Sequence, residues 1–129
     1  MSGFVGVKVI GCTAPQYTIL IDDEQITQMN WESAARESGK HLKLFSSPGT
    51  FFPVAKHLSK KTPIYIDSHL GGNVRGELVA KDIYSMGFHE IHLTTGYSAD
   101  DFTDMPWLKG VRGKQPPWSP AKERANETS

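Results

Sequence analysis

Cysteine is almost absent from this chain. Cys12 is the only one in 129 residues, so no internal disulfide can form, and such usage suits a reducing compartment. Net charge is absent too, because 14 Lys plus Arg balance 14 Asp plus Glu. That withholds the basic surplus a nucleic-acid surface needs and the polybasic segment that anchors a protein to anionic lipid. No apolar run approaches the ~20 residues of a bilayer-spanning helix. Met1-Ser2-Gly3-Phe4 lacks the basic start and apolar core of a secretory signal. The expectation is a soluble, cytoplasmic protein with no nucleic-acid and no membrane partner.

Several chemical signatures are missing as well. The histidines at 41, 57, 69, 89 and 92 show no tight zinc spacing. His89 and His92 straddle a strand start, where residues three apart point to opposite faces. Gly71 to Gly76 carries the two glycines of a phosphate loop, but Glu77 stands where that loop requires lysine. Cys12 has no evident base beside it and reads as an inert thiol. Trp107 and Trp118 flank the last apolar segment and read as packing or interface residues, given the neutral charge.

What is present is a regular alternation of short elements. The apolar fraction, 38%, is concentrated in short runs, enough for one small core in one domain. Residues 4–10 alternate and read as a strand. Residues 17–21, Tyr-Thr-Ile-Leu-Ile, form a β-type run of the kind buried on both faces. Residues 25–38 read as a helix closed by Gly39, and residues 41–45 as a strand. The Ser46-Ser47-Pro48-Gly49 segment reads as a turn, with a short helix over residues 51–60 capped by Thr50. Strands over residues 64–66 and 90–94 bracket a helix over residues 76–86, closed by Gly87. Ser98 heads a helical turn stopped by Pro106, and residues 108–112 can make a last strand. The predicted domain covers residues 17–118, with an N-terminal extension over 1–16 and a disordered tail over 119–129.

Strands alternating with helices imply α/β architecture: a three-layer doubly wound sandwich around a parallel five-stranded sheet. The expected order is 2-1-3-4-5, with the last helix short or absent and an extra strand at the N-terminus. In such a sheet the carboxyl ends of all strands share one edge, where chemistry gathers. That edge should collect Asp22 and Asp23, then Asp67, then Thr94 and Thr95, then Lys114. Crowded carboxylates repel unless some are protonated or a cation sits among them, and clustered oxygen ligands suit Mg²⁺. With Lys114 alongside, the set could neutralise a phosphoryl group carried on Asp67 as nucleophile.

Each piece alone has a plainer reading. Asp22 and Asp23 could merely cap a helix, Asp67 could be a turn residue before glycines, the threonines could be β-formers and Lys114 an ordinary surface lysine. Their joint order carries more. The segments Ile19-Leu20-Ile21-Asp22-Asp23-Glu24, Tyr65-Ile66-Asp67, Leu93-Thr94-Thr95-Gly96-Tyr97 and Gly113-Lys114-Gln115-Pro116 together resemble the receiver domain of two-component response regulators, of the CheY-like, flavodoxin-like superfamily. The resemblance spans roughly residues 17–117. It implies that Asp67 is the phosphoacceptor, that Asp22 and Asp23 hold Mg²⁺ together with Asp67 and the main-chain carbonyl of His69, that Thr95 follows the phosphoryl group, and that Lys114 pairs with it. It also implies a histidine kinase or phosphotransfer protein as partner. A receiver of this kind is no enzyme in the ordinary sense, because it catalyses at most its own phosphotransfer and dephosphorylation.

Three positions depart from that pattern. Leu70-Gly71-Gly72 stands where a proline is common, Val111 stands where an aromatic switch residue is usual, and no amphipathic helix is visible after Lys114. The stretch Lys109 to Trp118 is more similar to receiver-like domains attached to sensor kinases than to stand-alone regulators. Two other readings compete. One is a receiver-like interaction module that is never phosphorylated. The other is a phosphatase of the haloacid dehalogenase type, disfavoured because His69 stands where that family needs a second aspartate. Loss of the last helix should leave apolar surface on one flank of the sheet, so dimerisation or another intermolecular contact is expected there.

Overall fold

The computed structural model describes residues 16–118. The strand expected over residues 4–10 and the tail over 119–129 lie outside the described residues. The elements are β1 (Tyr17–Ile21), α1 (Gln25–Glu37), β2 (His41–Phe45), α2 (Pro48–Ala55), β3 (Ile64–Asp67), β4 (His69–Leu70), β5 (Val74–Arg75), α3 (Gly76–Ser85), β6 (Ile91–Thr94), a 3₁₀ turn (Ala99–Asp101) and β7 (Gly110–Arg112).

Five strands form one sheet in the order β2-β1-β3-β6-β7, and every pairing is parallel. This is the expected 2-1-3-4-5 order, counted along the five strands of that sheet. Alternation along the strands splits the side chains between two faces. Ile19, Ile21, Ile64, Ile66, Ile91 and Leu93 meet Phe51 and Ala55 of α2 and Ala80 and Ile83 of α3. On the other face Leu20 and Tyr65 meet Trp31 of α1, with Leu42, Leu44 and Trp118 around them. Two helices therefore cover one face and α1 covers the other.

Local sequence explains where the helices start and stop. Past α1, Gly39 takes a positive φ of 67°. Its N–H reaches Arg36 O at 3.3 Å, and Lys40 N–H reaches Ala35 O at 2.8 Å, so the last carbonyls are satisfied by a Schellman closure. The second helix corrects the sequence reading. It begins at Pro48 rather than residue 51, because Ser47 is the cap: its Oγ accepts from Thr50 N–H at 3.3 Å. Pro48 fits the first helical turn, where a missing N–H costs nothing. The helix also ends early, at Ala55, and the chain leaves it through His57 N–H to Val54 O and Leu58 N–H to Ala55 O.

Two further corrections concern the ends of the chain's strands. The segment after Asp67 is not a plain glycine-rich loop. Its residues pair as a small antiparallel hairpin, His69 with Arg75 and Leu70 with Val74, closed by Gly72 and Asn73 at positive φ. The last strand is shorter than expected, and among the described residues no helix follows it. The flank left without that helix carries polar and aromatic groups. His92 stacks on Tyr65 with ring centroids 4.7 Å apart and 14° between planes. The Arg112 guanidinium lies 5.6 Å from the same ring centroid, a cation–π distance. Polar and aromatic groups thus share this flank with the partly buried Leu42, Leu44 and Trp118.

Candidate functional site at the carboxyl edge of the sheet

Asp22 follows β1 directly and is fully buried, while Asp23 beside it is exposed. Asp22 N–H bonds to Phe45 O at 3.0 Å, which prolongs the β1–β2 ladder and fixes its backbone. Asp67 is the last residue of β3, registered against Thr94 of β6, and is 2% exposed. The backbone around it has no slack. Ser68 N–H bonds to Thr94 O at 2.8 Å and Gly76 N–H to Ser68 O at 3.0 Å. A Cβ on Gly76 would stand 1.8 Å from the Asp67 carbonyl oxygen, so only glycine fits there.

Lys114 reaches into this group from the segment after β7. Its Nζ lies 3.1 Å from Asp67 Oδ2, 3.2 Å from Glu24 Oε1 and 3.6 Å from Asp22 Oδ2. Asp22 Oδ1 accepts from Glu24 N–H at 2.8 Å. Asp22 Oδ2 is buried and has no hydrogen-bond partner among the described residues, an expensive state for an ionised oxygen. Asp22, Asp23 and Asp67 each offer an oxygen within 4.8 Å of the others. A cavity of about 560 Å³ opens over Asp67, with Asp23, His69, Gly71, Gly96 and Tyr97 among its walls.

Electrostatics follow from this packing. Burial pushes the Asp22 pKa up to about 6, and the neighbouring Asp67 charge adds to it, against the opposing Glu24 N–H bond. Burial also raises Asp67, opposed by Lys114. Burial works against the Lys114 ammonium, but its bond to Asp67 and the charges of Asp22 and Asp67 outweigh it, so its pKa rises. Carboxylates held above their usual range beside an orphaned buried oxygen are what an oxygen-preferring divalent cation would relieve. The residues present therefore fit such an ion.

The sequence-predicted residues converge, with differences in depth. Asp23, Asp67, His69 and Lys114 line the cavity. Asp22 and Thr95 are buried, at 0% and 4% exposure, and are not among its lining residues. Thr95 Oγ1 accepts from Ser68 Oγ at 2.8 Å and from Tyr97 N–H at 3.0 Å. Val111 packs against the aliphatic face under α2 and α3. Sequence reasoning gave no role to Ser68, Glu24 or Trp31. Glu24 was visible as the third member of an acidic run. Nothing in the spacing flagged Ser68 or linked Trp31 to Lys114, 83 residues away.

A doubly wound α/β sheet with buried carboxylates at its strand ends defines the class: a flavodoxin-like domain with an acidic strand-edge site. Within that class, the chain has the fold of CheY-like response regulator receiver domains. A receiver domain from Methanospirillum hungatei JF-1 superposes with TM-score 0.67 at 13% identity, over 89% of this chain and 94% of that one. The response regulator StyR superposes with TM-score 0.64 at 15% identity, over 89% of this chain, which spans 66% of StyR's length. The Mn²⁺-bound form of the response regulator Rcp1 superposes with TM-score 0.61 at 12% identity, over 77% of this chain and 81% of that one. No protein-family model matches the sequence, and no curated protein matches it significantly.

Proposed function

We propose that this chain is a phosphoacceptor receiver module of two-component signalling. Asp67 takes a phosphoryl group from the phosphohistidine of a histidine kinase or phosphotransfer protein. The observation that carries this reading is the Lys114 ammonium 3.1 Å from the Asp67 carboxylate at the mouth of a cavity shared with Asp23. An Asp67 oxygen attacks phosphorus, the P–N bond breaks with its electron pair staying on nitrogen, and the imidazole leaves neutral, its other ring nitrogen carrying the proton. Asp22, Asp23 and Asp67, with the main-chain carbonyl of His69, would hold Mg²⁺, as the Mn²⁺ of the similarly folded Rcp1 suggests for a divalent ion. A bound Mg²⁺ would neutralise charge on the carboxylates and on the phosphoryl oxygens.

The chain's own groups do the rest. Lys114 donates to the transferred group, and positioning rather than new covalent chemistry lowers the barrier. Thr95 Oγ1 accepts from Ser68 Oγ and Tyr97 N–H, and the resemblance gives its hydroxyl the part of following the phosphoryl group. In this reading the chain catalyses at most its own phosphotransfer and dephosphorylation. The test is acetyl phosphate, or beryllofluoride with Mg²⁺, followed by intact mass and NMR. Wild type should gain one adduct and Asp67→Asn none. An adduct elsewhere, or none on wild type, would remove the reading.

A second reading is favoured by two observations. Val111 replaces the aromatic switch residue implied by the resemblance, and a single 3₁₀ turn stands between β6 and β7. A receiver-like docking module that is not phosphorylated would fit these features, and absence of any adduct would put it first.

A further inference from the structure

The geometry points to Glu24 and Trp31 as positioning residues for Lys114, a clamp built on α1 and the turn before it. The inference rests on the reading of Asp67 as acceptor. Lys114 lies beyond the last strand, in a segment that no helix follows among the described residues. A flexible four-carbon side chain on such a segment has little to hold it in one place. Here it is held at both ends. The Trp31 indole N–H donates to the Lys114 main-chain carbonyl at 2.9 Å. Trp31 is itself completely buried between Leu20 and Tyr65, and its ring meets Trp118 edge-on with centroids 5.9 Å apart. The segment after β7 is thus fastened to α1 at Lys114 and again at Trp118.

The ammonium end is fastened by Glu24. Glu24 Oε1 lies 3.2 Å from Nζ and also accepts from Thr27 Oγ1 at 2.5 Å, with Thr27 buried in the first turn of α1. Glu24 and Asp67 both lie within hydrogen-bond reach of the ammonium, with Asp22 at 3.6 Å, and Lys114 lines the cavity. Glu24 also lines that cavity. If it acted as one more metal ligand it would touch Mg²⁺ binding directly. If it acts through Lys114, it should change phosphoryl-analogue binding and leave Mg²⁺ binding alone.

The experiment uses the full chain with Glu24→Gln, Trp31→Phe, Lys114→Ala and the Glu24→Gln/Lys114→Ala double variant. Trp31→Phe keeps an aromatic ring but removes the N–H. Three readouts are taken: the Mg²⁺ dissociation constant without phosphoryl analogue, the beryllofluoride dissociation constant with Mg²⁺ saturating, and the ¹⁵N NMR signal of the Lys114 ammonium. The pair is half-exposed, so Glu24→Gln should weaken beryllofluoride about three-fold. Trp31→Phe should do the same, Mg²⁺ affinity should stay unchanged in both, and the ammonium signal should broaden. In the Lys114→Ala background, Glu24→Gln should add nothing further. Weaker Mg²⁺ binding in Glu24→Gln, additive losses in the double variant, or an unchanged ammonium signal would each overturn the inference. Failure of wild type to bind beryllofluoride would instead overturn the acceptor reading, and the ammonium signal would still decide the clamp.

Discussion

Under α2 and α3 the sheet presents Ile19, Ile21, Ile64, Ile66, Ile91 and Leu93, all fully buried. The same strands present Leu20, Tyr65, Asp67, His92 and Thr94 to the side of α1. On these three strands one face is aliphatic, and the other changes from aliphatic to aromatic to charged. The difference assigns work. The aliphatic face excludes water and supplies most of the burial, while the α1 face spends part of its area on groups that must be hydrogen-bonded or paired. Substitutions on the first face should move stability without moving the site. Substitutions on the second should move the site with smaller effects on stability.

The strongest test of that division is Phe51→Ala. It opens a cavity in the aliphatic face and should destabilise the fold by about 3–5 kcal/mol. Chemical denaturation would measure the loss, and beryllofluoride affinity per folded molecule should stay at the wild-type value. A large change in affinity would show that the faces are not separable.

Next in size is a pH effect on the α1 side. Asp22 has its pKa raised from 3.8 to about 6, and Asp67 is also raised. Between those values the folded chain keeps a proton that the unfolded chain has released. The folded state therefore binds more protons, and stability falls as pH rises from about 4 to about 6. Without divalent metal the loss should be about 2 kcal/mol, a figure below the full 1.36 kcal/mol per unit because solvent at the cavity mouth screens the charge. Denaturation midpoints at pH 4.0, 5.0, 6.0 and 7.0 (values chosen roughly to bracket the titration) would show it. Added Mg²⁺ should stabilise more at high pH than at low pH, because protons and metal compete for the same oxygens.

Asp22→Asn sharpens the same point. The buried Oδ2 has no hydrogen-bond partner among the described residues, only the Lys114 ammonium 3.6 Å away, and a neutral amide lowers the cost of burying its charge. Metal-free stability at neutral pH should rise by about 1 kcal/mol, the slope between pH ~4 and ~6 should flatten, and Mg²⁺ affinity should fall. Titration calorimetry and thermal melts would report both. The smallest expected effect is at the flank. His92→Ala removes one stacking partner of Tyr65 and should cost under about 1 kcal/mol, with adduct formation unchanged. A loss of adduct formation would mean that the flank takes part in the site.

Much of this was legible in sequence, and for a physical reason. Short β-branched runs such as Ile19-Leu20-Ile21 and Ile64-Tyr65-Ile66 can be buried only as inner strands. The residues that end them, Asp22 and Asp67, must then share an edge. The pairing of Asp67 with Lys114 follows from that topology. Less legible were features set by contacts between distant segments. Ser47 rather than Thr50 caps α2, because a cap is decided by backbone geometry that two neighbouring hydroxyl residues can both serve. The β4–β5 hairpin lies in four residues with no strand pattern, and tertiary closure over α3 forms it. The flank after β7 was expected to be apolar because a helix was missing. The His92 and Arg112 contacts with Tyr65 on that flank depend on the register of β3, β6 and β7, which the sequence does not display.

The position of Gly76 has a mechanical consequence. A side-chain carbon there would fall within bonding distance of the Asp67 carbonyl, so the last peptide of β3 and the first turn of α3 touch without clearance. Parts in such contact cannot slide; they can only travel together. A Gly76→Ala substitution would therefore have to displace either the Asp67 peptide or the first turn of α3.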